Sequence, residues 1–487
     1  MRVALIDAEA STRPGHIAVE LCRQVAERGH RALFCHSRGY CPQDVPSYRI
    51  SCWMGQNLTL GRRSKSRLNG RAELKKAVHP HRDSMGSAVS RYLHLLLARL
   101  TDRQGFFSKY ATRRLVDQLK LFQPDVIHLH NLHGYYLHLP TLFDYLKKEN
   151  LPVVWTLHDL WAFTGHCLYP SMAEDPAPSL EQENILDSGD PEGAAYVERQ
   201  LCTEGCLRWL SGCGECAQKR EYPESWLRDQ SARNWREKRS LFTSLQYLIL
   251  ATPSEWLKSQ VQRSFLKNYP TYCLPHGVDP GVFKPCVSET ERYSVLKRMK
   301  LHTCLDKHLL LSVAGIWEPR KGLEDLLALA EKLGDSYCIV AVGLEDEQRA
   351  AIPDGTIITL PEMGNLQDLC ALYTAADLFV SMSHAESMGT RLLQALSCGT
   401  QVFSWDTTAL PEIVTPEVGA MAPLGDLDAA AEAIRQLCDD PRSPEDCRRR
   451  ALEFDAGTRL HEYIRLYERM HINGPRATVS EKVAAGC

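Results

Sequence analysis

The sequence predicts an α/β protein with two domains, each built on a parallel β-sheet. Short apolar runs alternate with amphipathic helical patterns, glycine-containing turns lie between them, and this order recurs in both halves of the chain. A length of 487 residues is enough for two or three separate cores. Apolar residues make up 44% and charged residues 24%, which is typical of a globular protein.

The first half opens with an apolar run at 2–6, a turn containing Gly15 and an amphipathic helix over 17–28. A second strand at 32–35 completes a strand–turn–helix–strand unit. Further strands are predicted at 126–129, 153–157 and 247–251. The N-terminus turns polar too early for a signal peptide, and no run of about 18 apolar residues predicts a membrane span.

The chain crosses into a second α/β unit near residue 276. Strands are predicted there at 309–314, 337–342, 356–360, 378–381 and 401–404. We therefore predict an N-terminal domain over 1–275, a C-terminal domain over 276–455, a C-terminal helix over 456–472 and a disordered tail over 473–487.

Two segments of the first domain are unusual in charge. The stretch at about 172–200 is acidic and predicts an exposed, mobile insertion. A basic run from Arg62 to Lys76 is opposed only by Glu73. This run is typical of a solvated loop and helix face, and contact with anionic lipid headgroups or a lipid-linked phosphate is the alternative. The net charge of −3 predicts no nucleic-acid partner.

Most of the eighteen cysteines are isolated on apolar faces, as are Cys22, Cys338, Cys370 and Cys438. Buried thiols of this kind are typical of a reducing compartment. The sequence therefore predicts a cytoplasmic protein.

One group of cysteines, at 202–216, is dense. Cys206, Cys213 and Cys216 have the spacing of a zinc knuckle, with Cys202 as the fourth thiol. Cys167 or His166 could replace Cys202 after folding. Cys167, Cys206, Cys213 and Cys216 are therefore candidate ligands of a structural zinc, and free thiols or a disulfide are the alternatives. A closed site of four ligands would not be catalytic.

A carboxylate follows the predicted strand at 378–381. Glu386 lies at the strand's carboxyl end, and a small-residue turn at Gly389 opens a helix whose free N–H groups can face an anion. Gln394 lies eight positions after Glu386, so both side chains could face one cleft.

A cationic loop follows the predicted strand at 309–314. Arg320 can contact phosphate oxygens with two N–H groups, and Lys321 adds a point charge beside it. Gly322 lets the backbone approach closely. A solvated loop is the alternative interpretation.

Histidines follow two strands of the first domain. His158 and Asp159 end the strand at 153–157, and His130 and His133 follow the strand at 126–129. His158 is placed to contact a bound sugar, and a histidine satisfied within the core is the alternative.

With these residues, the chain resembles retaining glycosyltransferases of the GT4 type over about residues 1–470, and bacterial enzymes of the colanic-acid kind in particular. Supporting motifs lie at 124–131, 156–167 and 276–279. The resemblance implies the GT-B fold, in which two Rossmann-like domains face a central cleft. It also implies retaining transfer from a nucleoside-diphosphate sugar.

The family's residues carry over by position. His158 and Glu386 match the residues at the reaction centre. Acceptor-side candidates are His130 and His133. The resemblance gives a donor-binding role to Gly15, Arg320, Lys321, Glu386, Gly389 and Gln394.

The resemblance further implies a UDP- or GDP-sugar donor and an undecaprenyl-linked glycan acceptor. It also implies that the protein acts at the inner-membrane surface. The resemblance also implies that catalysis needs no metal, and that Arg320, Lys321 and nearby helix N-termini stabilise the leaving diphosphate. The leaving phosphate can itself accept the proton of the acceptor hydroxyl.

Two departures from the family pattern keep alternatives open. Gln394 replaces the second Glu of the Glu-x7-Glu element, which removes charge-assisted hydrogen bonding on the order of 1 kcal/mol. Residues 406–412 lack the family's paired glycines. A sugar-nucleotide epimerase of the same fold, and a degenerate nucleotide-sugar-binding subunit, are the competing hypotheses. The motifs do not specify the donor sugar, the linkage or the oligomeric state.

Overall fold

The computed structural model describes residues 1–50, 58–59, 85–173, 177–188 and 190–474. The chain divides into two compact units. Unit 1 comprises Met1–Thr252, Lys258–Cys273 and Leu460–Cys487, and unit 2 comprises Pro253–Leu257 and Leu274–Arg459. The predicted basic run at 62–76 and most of the predicted tail lie outside the described residues.

Unit 1 is built on a sheet of eight strands with helices between them. In chain order its elements are β1 (Arg2–Glu9), α1 (Arg13–Glu27), β2 (Arg31–Arg38), β3 (Ser47–Arg49), β4 (Leu58–Thr59), α2 (Met85–Thr101), α3 (Lys109–Phe122), β5 (Val126–Leu129), α4 (Leu139–Glu149), β6 (Val153–Thr156), α5 (Leu180–Asp187), α6 (Pro191–Glu204), α7 (Ser231–Phe242), β7 (Leu248–Thr252), α8 (Glu255–Arg263) and β8 (Thr271–Cys273). The strand order is β4-β3-β2-β1-β5-β6-β7-β8. All neighbouring pairs are parallel except β3 with β4.

The centre of this sheet forms because its strands are almost wholly apolar. Six consecutive residues of β1 are buried, and β1 pairs with β2 on one side and β5 on the other. β5 in turn pairs with β6, with His128 opposite Val154. Since parallel strands end at the same edge, the loops after β5 and β6 bring their histidines together.

Unit 2 is built on a six-stranded parallel sheet. Its elements are α9 (Glu289–Arg298), β9 (His308–Val313), α10 (Leu323–Leu333), β10 (Tyr337–Val342), α11 (Asp346–Ala351), β11 (Ile358–Leu360), α12 (Leu366–Ala375), β12 (Leu378–Ser381), α13 (Thr390–Ser397), β13 (Val402–Asp406), β14 (Gly419–Pro423), α14 (Leu427–Asp439) and α15 (Pro444–Leu452). The strand order is β11-β10-β9-β12-β13-β14.

Both faces of the unit 2 sheet are buried, as parallel sheets require. Successive residues of β9 enter different cores: Leu309 and Leu311 belong to one apolar cluster, and Leu310 belongs to the other. Cys304 and Cys338 form a disulfide in the first cluster, with their Cα atoms 5.4 Å apart. The expectation of a free thiol at Cys338 was therefore wrong, because an apolar pattern does not show which second thiol packs against it.

A last helix, α16 (Ala456–Asn473), returns the chain to unit 1. The hydroxyl of Tyr467 lies 2.5 Å from Nδ1 of His128, and the hydroxyl of Tyr463 accepts a hydrogen bond from Thr156 at 3.1 Å. All four side chains are buried. His128 and Thr156 also bond each other at 2.7 Å, so the C-terminal helix adds a second buried partner to each.

The predicted strands are all present, and among the described residues four further strands were not predicted: β3, β4, β8 and β14. The acidic segment contains the helices α5 and α6. Within the parts of the chain that the structure describes, no helix is both long enough and apolar enough to cross a bilayer.

Candidate functional site

The polar centre of unit 2 is Glu386, which lies beyond the carboxyl end of β12. Lys321 donates a hydrogen bond to its Oε1, and Arg320 Nη1 lies 3.3 Å from its Oε2. Arg320 Nη1 also donates to the carbonyl of Ala385 at 2.9 Å, and its Nε donates to Glu318 at 2.9 Å. The cationic loop after β9 and the carboxylate after β12 are thus brought together, as neighbouring strands of one sheet predict.

The charges of this cluster are mutually stabilised. Burial acts to raise the pKa of Glu386, but Lys321 and Arg320 together hold that pKa below its ordinary value. Burial also lowers the pKa of Lys321, against the opposing effect of Glu386. The carboxylate is therefore ionised at neutral pH, and two cations are fixed beside it.

The cationic loop is held in place by a glycine and by backbone bonds. Gly322 has a φ of +68°, and a Cβ at this position would lie 2.0 Å from the carbonyl oxygen of Met382. The amide of His384 donates to the carbonyl of Arg320 at 2.8 Å. The loop after β9 therefore packs directly on the segment that leads from β12 to Glu386.

A second set of bonds fixes the segment before Glu386. His384 Nε2 lies 2.7 Å from Asp325 in α10, and Trp405 Nε1 donates to the same carboxylate at 3.1 Å. The amide of Glu386 donates to the hydroxyl of Thr408 at 3.0 Å. The carboxylate thus stands on a rigid segment, which is what a binding site needs.

Helix α13 begins after Gly389 and carries Gln394. A Cβ on Gly389 would lie 2.8 Å from Leu392, so this glycine allows close packing. Gln394 is 5% exposed, and its Oε1 accepts hydrogen bonds from Arg391 at 2.9 Å and from Tyr373 at 3.3 Å. The bonds described for Gln394 are thus to Arg391 and Tyr373 rather than to Glu386.

Sequence reasoning missed Arg391. Its guanidinium lies near Gly315, at the start of the cationic loop, since a Cβ on that glycine would be 3.5 Å from Arg391 Nη2. The signal was available: Arg391 precedes Gln394 by three positions on one helix, a spacing that places side chains side by side.

Unit 1 gathers the predicted histidines where β5 and β6 end. His130 Nδ1 lies 3.1 Å from His158 Nε2, and the two rings are stacked with centroids 5.4 Å apart. A small cavity is lined by both histidines together with His133, Asp159 and Trp161. The predicted reaction-centre histidine and both acceptor-side candidates therefore share one cavity.

His133 connects this cavity to a residue that the sequence did not suggest. Its Nε2 lies 3.0 Å from Asp159 Oδ2, and its Nδ1 lies 3.0 Å from the hydroxyl of Tyr222. Gln104 donates to the same hydroxyl at 3.1 Å. No periodicity in the sequence points to Tyr222, because it lies 89 positions from His133.

Gly15 lies in the first turn of α1 in unit 1. A Cβ there would lie 2.0 Å from the carbonyl oxygen of Glu9, so the close approach of α1 to the end of β1 requires glycine. Its predicted contact with the donor stays a prediction.

The loop that follows His158 is anchored from within the core of unit 1. Lys238, in α7, is 1% exposed and donates to the carbonyls of Trp161 at 2.8 Å and Thr164 at 3.2 Å. Further along the loop, His166 lies 2.6 Å from Asp102. Burial acts to lower the pKa of His166, but Asp102 raises it above its ordinary value.

The four candidate zinc ligands are free thiols in the structure. The amide of Gly165 donates to the sulfur of Cys213 at 3.1 Å, and a hydrogen bond from Cys167 lowers the pKa of Cys216. Across the described ranges, no group of three or more histidine, cysteine or acidic side chains is arranged to hold a metal ion. A structural zinc stays a prediction.

Comparison with known proteins identifies part of unit 2. Residues 302–454 match the family described as glycosyl transferases group 1. A D-inositol 3-phosphate glycosyltransferase of Mycobacterium sp. (strain KMS) is 32% identical over 191 residues, which are 37% of this chain and 42% of that protein. The putative colanic acid biosynthesis glycosyl transferase WcaC of Escherichia coli (strain K12) is 28% identical over 105 residues, or 20% of this chain and 18% of that protein. The chain therefore spans less than half the length of either relative.

Solved structures are similar over nearly the whole chain. Sucrose-phosphate synthase from Thermosynechococcus elongatus superposes with a TM-score of 0.62 at 16% identity, covering 96% of this chain and 99% of that one. Anabaena HepE in complex with UDP-glucose gives a TM-score of 0.55 at 14% identity, with the same coverage. At such identities the likeness shows the fold, which is the predicted GT-B class with two parallel α/β domains.

Proposed function

We propose, on the premise that residues 302–454 form a group 1 glycosyl transferase domain, that this chain transfers a sugar from a nucleoside-diphosphate sugar with retention at the anomeric carbon. The acceptor we propose is a lipid-linked glycan of cell-surface polysaccharide synthesis. The single observation that carries the proposal is the cluster of Glu386, Arg320 and Lys321 at the carboxyl end of the unit 2 sheet.

This cluster has the charges that the reaction needs. As the anomeric bond breaks, negative charge grows on the departing diphosphate, and fixed cations stabilise that charge without reorganising. Arg320 and Lys321 are fixed in this way by Glu386. Glu386 accepts hydrogen bonds at both oxygens, so it can exchange them for the hydroxyls of a donor sugar. We also propose that His158 contacts the donor sugar.

The relatives support the donor and the acceptor class. The relative of 28% identity is named for colanic acid biosynthesis, and one solved structure of the same fold holds UDP-glucose. A UDP- or GDP-sugar is therefore the proposed donor. In this proposal, Arg320 and Lys321 stabilise the negative charge of the transition state, and no catalytic metal is required.

Exposed residues of unit 1 support the proposal that the protein acts at a membrane surface. Tyr92, Leu93 and Leu96 on α2 are 64%, 55% and 45% exposed, which is unusual for large apolar residues. On α3, Lys120 and Leu121 are exposed as well. Exposed apolar side chains on α2 fit a surface of anionic lipid, where the undecaprenyl chain of the acceptor would reside.

Binding and turnover of UDP-, GDP- and ADP-sugars test the proposal. We expect one sugar nucleotide to raise the melting temperature selectively, and Arg320→Ala or Lys321→Ala to abolish that rise. Lys332→Ala is the matched control, because Lys332 belongs to the same unit but pairs with the exposed Asp428. Failure of every sugar nucleotide to bind at millimolar concentration would overturn the proposal.

The same assay separates the competing hypotheses. An epimerase would convert the bound sugar nucleotide in the absence of acceptor, and a binding subunit would bind it without turnover. A transferase turns over the donor only when an acceptor is added, apart from slow transfer to water.

A further inference from the structure

Three side chains of unit 1 form a continuous chain of hydrogen bonds that ends at the surface. Asp159 contacts His133 at 3.0 Å, and His133 contacts the hydroxyl of Tyr222 at 3.0 Å. The first two side chains are 10% and 14% exposed, whereas Tyr222 is 42% exposed. The chain therefore leads from the core to solvent, and we name it the Tyr222 relay.

The hydrogen bonds fix the direction of each donor. Asp159 is acceptor-only when ionised, and its other oxygen accepts the amide of Trp161 at 2.8 Å. His133 Nε2 must then carry the proton, which leaves Nδ1 as an acceptor. A phenol is protonated at neutral pH, so Tyr222 donates to His133. Gln104 donates to the phenol oxygen, which leaves one lone pair for a further donor.

The relay lies beside the residue that resembles the reaction-centre histidine. Asp159 directly follows His158 in sequence, and both line one cavity with His133. Aromatic rings surround the relay: Trp161 lies 5.6 Å from the His133 ring, and Tyr135 lies 5.8 Å from the Tyr222 ring. The cavity has a volume of about 10 Å³ and is not lined by Tyr222, so an acceptor hydroxyl would reach the relay at the exposed side of Tyr222.

We infer that the Tyr222 relay binds and deprotonates the hydroxyl of a glycan acceptor. This inference rests on the proposed function. It gives Tyr222 and His133 the task of removing the acceptor proton, which would otherwise pass to the leaving phosphate. Tyr222 is the residue that touches the acceptor, and Asp159 is a positioning residue that acts through His133.

The proposed step forms one bond, breaks one bond and moves one proton overall. The acceptor oxygen forms a bond to the anomeric carbon of the donor, and the bond from that carbon to the diphosphate oxygen breaks with its electron pair on the diphosphate. The acceptor proton passes to the oxygen of Tyr222 as the phenol proton passes to Nδ1 of His133. Asp159 stabilises the resulting imidazolium, which returns its proton to water or to the diphosphate.

The test uses the full chain, the sugar nucleotide that binds it, and octyl glycosides of common hexoses as soluble acceptors. Tyr222→Phe removes only the hydroxyl, and we expect it to lower kcat about 100-fold, the size of a general-base contribution. His133→Asn is expected to give a similar loss. Because the two groups act as one relay, the double variant should be no worse than His133→Asn alone.

Tyr110→Phe is the matched control, since it removes the same hydroxyl from an exposed tyrosine of α3 that takes no part in the relay. We expect it to keep the wild-type kcat. Donor affinity should be unchanged in all variants, which separates a loss of chemistry from a loss of folding.

Two results would overturn the relay. One is a Tyr222→Phe variant with wild-type kcat and KM, and the other is losses that multiply in the double variant. If the donor binds but saturation-transfer NMR detects none of the glycosides on the protein, the acceptor site is overturned while the donor site stands. If no sugar nucleotide binds, the proposed function itself fails.

Discussion

The two units present polar groups of different kinds at the carboxyl ends of their sheets. In unit 2, a partly buried carboxylate contacts two cations, and the pKa of Glu386 is held low by Lys321 and Arg320. In unit 1, the site is a set of carboxylate, imidazole, phenol and amide groups joined by directed hydrogen bonds about 3 Å long, such as that between His133 and Tyr222. Fixed positive charge suits a diphosphate, and directed hydrogen-bonding groups suit hydroxyls. The same sheet architecture thus supports two kinds of recognition, set by the residues in its loops.

The largest expected effect is in unit 2. Glu386→Gln removes the negative charge beside Arg320 and Lys321 while keeping the side-chain shape. We expect the transfer rate to fall about 100- to 1000-fold, the usual result of removing one preorganised charge contact at a reacting centre. Steady-state kinetics with the selected donor measures the loss.

Glu318→Gln is the matched control for this change. Glu318 also contacts Arg320, at 2.9 Å, but is 49% exposed. Its loss should change the rate by less than about threefold, because exposed ion pairs contribute little. Equal losses of rate in Glu386→Gln and Glu318→Gln would contradict the expectation that the less exposed partner of Arg320 matters more.

A smaller effect is expected at His158 in unit 1. His158→Ala removes a hydrogen-bonding group that resembles the family's contact to the donor sugar. The rate should fall about 100-fold, whereas binding of the free nucleoside diphosphate should be unchanged because the cations of unit 2 remain. Calorimetry and kinetics on one preparation measure both quantities.

His138→Asn supplies the comparison for His158. His138 lies in the same unit and caps α4, accepting from the amide of Thr141 at 3.3 Å. Asparagine also caps helices, so this variant should retain activity. A loss of nucleotide affinity in His158→Ala would contradict the division of labour between the units.

Next in size is a pH-dependent change in stability. Asp7, in β1, is fully buried, and no hydrogen-bond partner of its Oδ2 is found among the described residues. Burial raises the pKa of Asp7 from 3.8 to about 8. The folded state therefore keeps a proton that the unfolded state releases, so this contribution to stability is present at low pH and is lost as pH rises through about 8.

Asp7→Asn removes this dependence because asparagine is neutral at every pH. We expect the variant to gain about 2 kcal/mol or more in free energy of unfolding, relative to the wild type, at alkaline pH, and to lose that advantage at acid pH. Urea unfolding at both pH values measures it. Asp117→Asn, at an exposed position of α3, should show no such crossover. A gain that is equal at both pH values would contradict the raised pKa.

The smallest effect is expected from restoring the family's second glutamate. In Gln394→Glu the new carboxylate would face Arg391, which already donates to residue 394 at 2.9 Å. That pairing neutralises much of the added charge, so donor affinity should rise by no more than about 1 kcal/mol. Titration calorimetry with the selected sugar nucleotide measures it. Weaker binding would show that the amide of Gln394 is itself the group that the donor needs.

The sequence predicted those parts of the fold and site that local pattern encodes. The central strands are continuous apolar runs, and Arg320, Lys321 and Glu386 follow two such runs that the sheet places side by side. The strands β3, β4 and β8 were missed because they contain only three, two and three residues. Such short strands carry too little periodicity to be recognised.

Partners that are distant in sequence could not be predicted. Tyr222 contacts His133 across 89 positions, and Cys304 pairs with Cys338 across 34. Gln394 could be placed on the helix α13, but its bond to Tyr373 depends on how α12 packs. These relations arise from tertiary packing, for which one sequence carries no local signal.

Because unit 1 contains residues that follow unit 2 in the sequence, part of unit 1 is synthesised last. Helix α16, whose Tyr463 and Tyr467 satisfy Thr156 and His128, is synthesised after the whole of unit 2. Unit 2 ends at residue 459, so its whole sequence is synthesised before α16 is complete, whereas unit 1 also needs residues that follow unit 2. His128 and Thr156, on the two strands that lead to the histidine site, therefore gain their bonds to Tyr467 and Tyr463 only after the C-terminal helix has been synthesised.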